Sequence, residues 1–219
     1  MAAQFPSMGG KEIGPFLRKV ARHARPGTSI VEVGSWLGAG TAQLALGVRE
    51  RQSDQPVSIH CYDRWEASDS EVEKAVRKGN LTLEPGQDTL PWVMQALQPF
   101  DVAISFIKGD IMDAKWDGAP ISVYVDDAAK TAKKFYRMMK TFGPAMIPGV
   151  TALVLMDYHY WEKTGMEEHK CQKIFIENHP EHFVPVEGFR RASSTAFNYV
   201  KPLDFDNLKY KSMVVPGGA

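Results

Sequence analysis

Apolar residues follow two different spacings along the chain. Over residues 11–24 they stand three or four positions apart, and Arg25-Pro26-Gly27 ends the pattern, so we expect an amphipathic helix there. Five short, nearly continuous apolar runs follow, at residues 29–34, 57–63, 102–109, 121–127 and 151–157. Helical patterns separate these runs, the first of them at residues 41–51. This alternation predicts a parallel sheet whose two faces are both covered by helices.

The end of the chain and two long connections complete the predicted architecture. Residues 183–200 contain two strand patterns around the segment from Gly188 to Ser194, which indicates an antiparallel hairpin at the sheet edge. The fold class is therefore α/β: a Rossmann-like, doubly wound fold with a mostly parallel, seven-stranded sheet. We expect a single domain over residues 1–219, with lid insertions at about 64–100 and 158–182. The first insertion has a capping-box pattern that starts at Ser70 and a helical pattern at residues 91–97.

Composition narrows the class of function. The chain has 219 residues, 44% of them apolar, and its 26 Lys and Arg balance its 26 Asp and Glu. A net charge of zero provides no general attraction for nucleic acid or an anionic membrane. No apolar run approaches the ~20 residues of a membrane span, and the amino terminus lacks a signal-peptide core, so we expect a cytoplasmic protein. The two cysteines, Cys61 and Cys171, lack the spacing of a zinc or redox motif.

A glycine-rich segment at residues 32–41, directly after the first predicted strand, is the strongest chemical signal. Its glycines, Gly34, Gly38 and Gly40, let a ligand approach the backbone, and the next helix begins with unpaired N–H groups. Their order, Gly-x-x-x-Gly-x-Gly, differs from the Gly-x-Gly-x-x-Gly order of dinucleotide enzymes. Glu32 precedes the glycines, where it would repel a phosphate and attract an ammonium group. The turn therefore favours an amino-acid moiety over a pyrophosphate; an ordinary strand-to-helix turn is the alternative.

Two further carboxylates follow predicted strands. Asp63 ends the second strand, where an acid can accept hydrogen bonds from both hydroxyls of a ribose. Asp110 follows the third strand and could accept a hydrogen bond from an adenine amino group. Either aspartate could instead cap a loop. An amino acid and an adenine ribonucleoside together describe S-adenosylmethionine.

Motifs at these strand ends resemble those of a known family. In order they are Val-Glu-Val-Gly-Ser-x-x-Gly-x-Gly-Thr from residue 31, Cys-Tyr-Asp-Arg-Trp from residue 61 and Phe-Ile-Lys-Gly-Asp from residue 106. With these motifs the chain resembles the class I S-adenosylmethionine-dependent methyltransferases. Residues 123–127 and 155–158 resemble the small O-methyltransferases of the macrocin type, which act on sugar hydroxyls of antibiotics, and more distantly the catechol type.

The resemblance implies which residues contact the cofactor, S-adenosylmethionine. They lie at strand ends and in the turns that follow them: Glu32, Gly34, Ser35, Gly38, Thr41, Asp63, Arg64, Trp65, Asp110, Ile111 and Asp126. The ring of Trp65 could stack on adenine or take part in lid packing alone.

The resemblance also raises the question of a metal ion. The families it points to often hold Mg²⁺ between acids at the ends of the fourth and fifth strands, for which Asp126 and Asp157 are the candidates here. Met156 and the alanines after Asp127 stand where those families have further ligands. Lys130 could also pair with one of the carboxylates. We therefore favour a reaction that needs no metal.

Two residues are candidates for the chemical step. His159 lies beyond the fifth strand and could act as a general base, because the ordinary pKa of histidine is near neutrality. A structural histidine is the alternative. Asp126, at the end of the fourth strand, is the second candidate, either directly or through a bound ion.

These expectations describe an enzyme that transfers a methyl group from S-adenosylmethionine to a hydroxyl of a small-molecule acceptor, either a sugar or a phenolic natural product. Two alternatives stay open: a non-catalytic cofactor-binding or scaffold protein of the same fold, and a dinucleotide-dependent oxidoreductase. Neither nucleic acid nor a membrane is an expected partner, and the sequence leaves a homodimer open.

Overall fold

Strands and helices alternate along the chain, as the apolar pattern predicts. The structure, a computed structural model, describes residues 5–7, 13–53, 55–79, 81–191 and 193–214. The strands are β1 (Ser29–Val33), β2 (Ser58–Asp63), β3 (Ile104–Lys108), β4 (Ile121–Asp126), β5 (Ala152–Leu155), β6 (Phe183–Arg191) and β7 (Ser194–Tyr199). The helices are α1 (Ile13–Arg22), α2 (Ala39–Arg49), α3 (Asp69–Gly79), α4 (Leu90–Leu97), α5 (Ala132–Phe142), α6 (Trp161–Thr164) and α7 (Cys171–Asn178).

These seven strands form one sheet in the order β3-β2-β1-β4-β5-β7-β6. Neighbours among β1 to β5 run parallel, whereas β7 is antiparallel to both β5 and β6. This confirms the Rossmann-like, doubly wound fold and the antiparallel hairpin at its C-terminal edge. The strand order reverses where β1 and β4 lie side by side, with Val33 opposite Asp126. In open sheets of this kind a ligand crevice forms beyond the carboxyl ends of the strands at that point.

Alternate residues of the central strands contribute to two apolar layers. In β1, Ile30 belongs to the layer that contains α1, α2 and α4, whereas Val31 and Val33 belong to the layer that contains α5 and α7. All five residues of β1 are buried, because helices cover both faces of the sheet. The strand therefore lacks a regular alternation of apolar and polar residues, and its sequence does not show which side chains face which layer.

Three local boundaries differ from the prediction. The capping box of α3 begins at Ser68 and not at Ser70, since the Ser68 N–H donates to Glu71 Oε2 over 2.8 Å. The hairpin turns after Arg191; Gly188 lies within β6, at φ +69°, where the register with β7 shifts. The sequence also predicts a helical stretch after Trp161 that continues to about Asn178. The structure interrupts it at Gly165, whose left-handed φ of +68° ends α6.

The first long connection, between β2 and β3, is anchored in the core. Trp65, Val93 and Leu97 are buried there, while α3 keeps only Ala75 buried. Trp65 and α4 thus belong to the core, whereas α3 lies over the carboxyl edge of the sheet.

No helix in the described part of the chain has both the length and the apolar character that a membrane crossing needs.

Candidate active site

A cleft of about 350 Å³ opens at the carboxyl ends of the central strands. Its walls come from the ends of four parallel strands, from α3 and from the region that leads into α5. The residues that line it are Gly34, Trp36, Asp63, Arg64, Ser70, Glu71, Lys74, Asp110, Ile111, Asp127, Ala128, Lys130 and Lys134. Four of these side chains are acidic and four are basic, so the cleft has no surplus of positive charge of the kind that favours a pyrophosphate.

A larger depression of about 740 Å³ lies elsewhere, on the outer surface of α1 and α2. Its lining consists of surface side chains such as Lys19, Arg22 and Gln43 and includes no residue from a strand end. Ligands of open α/β sheets bind beyond the carboxyl ends of the strands. We therefore place the candidate site in the smaller cleft.

Gly34 brings the β1 turn close to the end of β4. Its φ is +91°, and a Cβ at this position would lie 2.8 Å from the backbone carbonyl of Asp127, too close for any other residue type. The Gly34 N–H donates to the Tyr62 carbonyl and the Asp127 N–H to the Val33 carbonyl, each over 2.8 Å. The turn is thus fixed between β2 and β4, and its backbone forms the floor of the cleft.

Glu32 lies beneath this turn and does not line the cleft. Its buried Oε2 accepts hydrogen bonds from Ser35 Oγ, over 2.9 Å, and from Thr41 Oγ1. A Cβ on Gly40 would overlap Glu32 Oε1. Burial raises the pKa of Glu32 to about 7, against the hydrogen bonds, which lower it. Glu32, Ser35 and Thr41 therefore have an internal position, from which they hold the turn. Their expected contact with the cofactor stays a prediction.

Asp63 lies on the cleft wall at the end of β2. Its Oδ2 accepts a hydrogen bond from the Trp36 N–H and its Oδ1 one from the Trp65 N–H, each over 2.8 Å. Burial raises the pKa of Asp63, while the two N–H groups lower it. Each carboxylate oxygen has a further lone pair, so Asp63 can still accept two ligand hydroxyls.

The two tryptophans beside Asp63 occupy different surroundings. Both have a positive φ, 44° for Trp36 and 46° for Trp65, a strained conformation that costs ~1–3 kcal/mol and is common at functional sites. Trp65 is 1% exposed and packs edge-on against Phe106 in the core, so its ring lies outside the cleft lining. The stacking of this ring on adenine stays a prediction. The backbone turn after Asp63 carries its indole inward. Trp36 lines the cleft instead; its position between the glycines of the turn was the available sequence signal.

Three other predicted cofactor residues, Arg64, Asp110 and Ile111, line the cleft. Asp110 Oδ1 accepts a hydrogen bond from the Met112 N–H over 2.9 Å and caps a short 3₁₀ helix that begins at Ile111. Gly38 has a different place: it precedes α2 at φ +79°, where a Cβ would meet Val93 at 3.2 Å. Its role is to allow close packing of α2 against α4.

Asp126 is fully buried and does not reach the cleft. Its Oδ1 accepts hydrogen bonds from the N–H groups of Ala128 and Ala129, and its Oδ2 accepts one from the Tyr124 hydroxyl over 3.1 Å. Burial raises its pKa to about 6. The Asp126 side chain thus fixes the loop after β4, and the next residue, Asp127, faces the cleft. The expected catalytic, cofactor and metal roles of Asp126 stay predictions.

Lys130 pairs with the acid at the end of the fifth strand. Its Nζ lies 3.0 Å from Asp157 Oδ2 and 5.4 Å from the centre of the Tyr160 ring. Burial raises the pKa of Asp127 well above its ordinary range, and the charge of Asp157 adds to this rise. Burial opposes the charge of Lys130, but Asp157 and Asp127 outweigh that effect and raise its pKa. Lys130 is therefore held as an ammonium ion beside two acids.

The side chains proposed for Mg²⁺ do not fit a metal ion. Asp126 accepts hydrogen bonds from N–H and O–H donors, and Asp157 forms an ion pair with an ammonium group. Within the described ranges, no three His, Cys, Asp or Glu side chains are arranged to hold a metal ion. We derive no step through a metal.

His159 lies outside the cleft lining. Its Nδ1 is 2.9 Å from Glu162 Oε1 and its Nε2 is 3.0 Å from Thr195 Oγ1, so both ring nitrogens have partners. The turn after β5 places the ring against Thr195 of β7. These contacts are those of a structural histidine, and the role of general base stays a prediction.

Comparison with known proteins gives matches in structure only. No protein-family model matches the chain, and no curated protein matches it in sequence. The O-methyltransferase NovP superimposes with a TM-score of 0.62 at 11% identity, over 88% of this chain and 81% of NovP. CalS11, a TDP-rhamnose 3'-O-methyltransferase of calicheamicin biosynthesis, gives 0.57 at 12%, over 85% of this chain and 77% of CalS11.

The methyltransferase PaMTH1 of Podospora anserina, solved with S-adenosylhomocysteine bound, gives a TM-score of 0.56 at 12% identity, over 89% of this chain and 80% of PaMTH1. At such identities the likeness shows the fold. The chain has the Rossmann-like fold of the class I S-adenosylmethionine-dependent methyltransferases, as its strand-end motifs predict.

Proposed function

We propose that the chain is an S-adenosylmethionine-dependent methyltransferase that methylates a hydroxyl of a small-molecule acceptor, either a sugar or a phenolic natural product. The observation that carries the proposal is the position of Asp63. Its carboxylate lies on the wall of a cleft at the reversal point of the sheet, held by two backbone N–H groups and able to accept two more hydrogen bonds. That is the acceptor pattern a ribose needs.

The remaining residues of the cleft fit the other parts of the cofactor. Asp110 and Ile111 stand at the next strand end, within the same cleft, where an adenine would follow the ribose. On the other side of Asp63, Gly34 leaves the turn without a side chain, which gives room for the amino-acid moiety. When bound, S-adenosylmethionine supplies a methyl group already activated on a sulfonium. The chain then mainly has to align the two reactants, an effect worth up to about 7–11 kcal/mol.

The residues of the cleft support this proposal over both alternative functions. A dinucleotide enzyme needs a pyrophosphate site, whereas this cleft has balanced charges and a turn of a different glycine order. A non-catalytic scaffold of the same fold would need no space beside the cofactor residues. Here Asp127, Ala128 and Lys130 extend the cleft past Gly34, and we assign this extension to the acceptor.

We further propose that α3 and the segment at residues 158–182 act as covers of the single domain. Ser70, Glu71 and Lys74 of α3 face the cleft. Tyr160, in the second segment, lies over Lys130. Closure of such covers would exclude water from the reacting groups.

Formation of S-adenosylhomocysteine tests the proposal. The protein would be incubated with S-adenosylmethionine and a set of nucleotide sugars and catechols, and the product measured by mass spectrometry. We expect acceptor-dependent product, lost in Asp63→Ala and kept in Glu71→Gln, a matched change of another acid in the same cleft. Cofactor binding without product from any hydroxyl acceptor would favour the scaffold, and reduction of NAD would favour the oxidoreductase.

A further inference from the structure

Two lysines in the cleft lining lack the partners that the acids around them have. Asp63, Glu71 and Asp110 each accept at least one hydrogen bond from a donor of the chain; Glu71, for example, accepts the N–H and the hydroxyl of the serine three residues earlier. Lys74 of α3 and Lys134 of α5 have neither an ion pair nor a hydrogen bond within the described ranges, although Lys74 is half-buried. The cleft therefore holds its acids with its own donors and leaves these two ammonium groups without acceptors.

Lys134 also lies where a positive charge is unfavourable unless an anion is near. It belongs to the first turn of α5, which contains no acid, and the N-cap residue Thr131 forms no side-chain hydrogen bond. The N-terminus of a helix carries a partial positive charge and favours anions. In contrast, α3 has Asp69 and Glu71 in its first turn. The start of α5 thus lacks the negative charge that α3 provides for itself.

The cofactor of the proposed function would not supply this negative charge. The amino-acid moiety of S-adenosylmethionine carries one ammonium and one carboxylate, which balance each other, and the sulfonium adds a positive charge. A bound cofactor would therefore make the cleft more positive. An anion from a second ligand is the remaining source of acceptors for the two lysines.

We propose that the acceptor carries an anionic oxygen group, a carboxylate or a phosphate, beside the hydroxyl that is methylated, and that Lys74 and Lys134 bind this group. The inference rests on the proposed function, because it assigns the second ligand of the cleft to the acceptor. It does not imply a dinucleotide. The pyrophosphate of a dinucleotide would lie at the β1 turn and the start of α2, and the lining residues of that turn, Gly34 and Trp36, carry no charge.

Paired probes with and without an anionic group test the inference. Catechol would be compared with protocatechuate, and glucose with glucose 6-phosphate, each titrated by calorimetry with and without S-adenosylhomocysteine. We expect an acidic probe to bind at least about tenfold tighter than its neutral partner, which is the value of one hydrogen bond to a charged group. The pair that shows the preference tells a carboxylate from a phosphate.

Single substitutions locate the anion. Lys74→Met and Lys134→Met remove an ammonium and keep an unbranched stem, and each should remove most of the preference. Lys78→Met and Lys133→Met, matched changes on the same helices outside the lining, should keep it. Equal binding within both pairs, no binding by either acidic probe, or a preference that survives in Lys74→Met and Lys134→Met would overturn the inference.

The same titrations separate this inference from the proposed function. If S-adenosylhomocysteine does not bind, the proposed function fails, and the titrations without it still show whether the two lysines bind an anion. If S-adenosylhomocysteine binds and only the neutral probes are methylated, the proposed function holds and the inference is wrong.

Discussion

Replacing Glu32 with Gln should make the protein more resistant to unfolding above neutral pH. The carboxyl is buried beneath the β1 turn and accepts hydrogen bonds from Ser35 and Thr41. A glutamine carbonyl oxygen can accept the same two bonds, but the amide never ionises. The change therefore removes the charge of residue 32 and keeps its place in the turn.

The size of the effect follows from the pKa. Burial raises the pKa of Glu32 from its ordinary 4.5 to about 7, so the folded protein holds a proton that the unfolded chain releases at lower pH. Stability from this group is therefore complete below the ordinary pKa and falls as the pH rises through the interval up to about 7. At about 1.4 kcal/mol per pKa unit, the loss is about 3 kcal/mol.

Urea unfolding of both proteins between pH 5 and pH 8 measures this loss. We expect the free energy of unfolding of Glu32→Gln, relative to the wild type, to rise by about 2.5 kcal/mol across that range, most of it below neutral pH. Glu84→Gln, the same change at an exposed position, corrects for the altered net charge. If the difference in free energy of unfolding between Glu32→Gln and the wild type stays constant with pH, Glu32 does not have a raised pKa in the folded protein.

Three further changes test other parts of the account. Asp63→Ala should weaken S-adenosylmethionine binding by about 1.5–3 kcal/mol for each hydrogen bond lost, which is at least about tenfold in Kd. Calorimetry measures this Kd, with Glu71→Gln as the control. An unchanged Kd would place Asp63 outside the site. Gly47→Ala should lower the free energy of unfolding by about 1–3 kcal/mol, because a Cβ at residue 47 would overlap a backbone oxygen of α1. Gly14→Ala is the control, since a Cβ there meets only a flexible glutamine side chain. Equal free energies of unfolding for the two variants would contradict this packing. His159→Ala should lower stability by about 1–2 kcal/mol through its two hydrogen bonds and leave the rate of methyl transfer unchanged; a rate about 10²–10⁴-fold lower would instead identify His159 as a general base.

The sequence is sufficient to predict where the cleft lies. Strand patterns and the turns after them place Gly34, Asp63 and Asp110 at one edge of a parallel sheet, since parallel strands end on the same side. The structure brings all three into the lining of one cleft. This part of the prediction depends only on strand order and direction, which apolar runs and connection lengths indicate well.

Side-chain direction within that edge could not be predicted. In a strand buried on both faces the apolar run continues without alternation, so nothing distinguished the inward Asp126 from the cleft-facing Asp127. Trp65 has a positive φ, which places its side chain in the core, and no sequence pattern predicts this backbone conformation. At α3, Ser68 and Ser70 each have a glutamate three residues later, and the structure uses the first pair. The sequence leaves open which carboxylate pairs with Lys130, and the structure shows Asp157 as its partner.

Calorimetric titration of the purified chain with S-adenosylmethionine, S-adenosylhomocysteine and NAD tests the central claim most directly. We expect the first two to bind at one site per chain with a Kd in the micromolar range or tighter, and NAD to produce no binding heat. The reasons are the open carboxylate of Asp63 and the lack of a pyrophosphate site at the Gly34 turn. Binding of NAD with no response to S-adenosylmethionine would contradict the account.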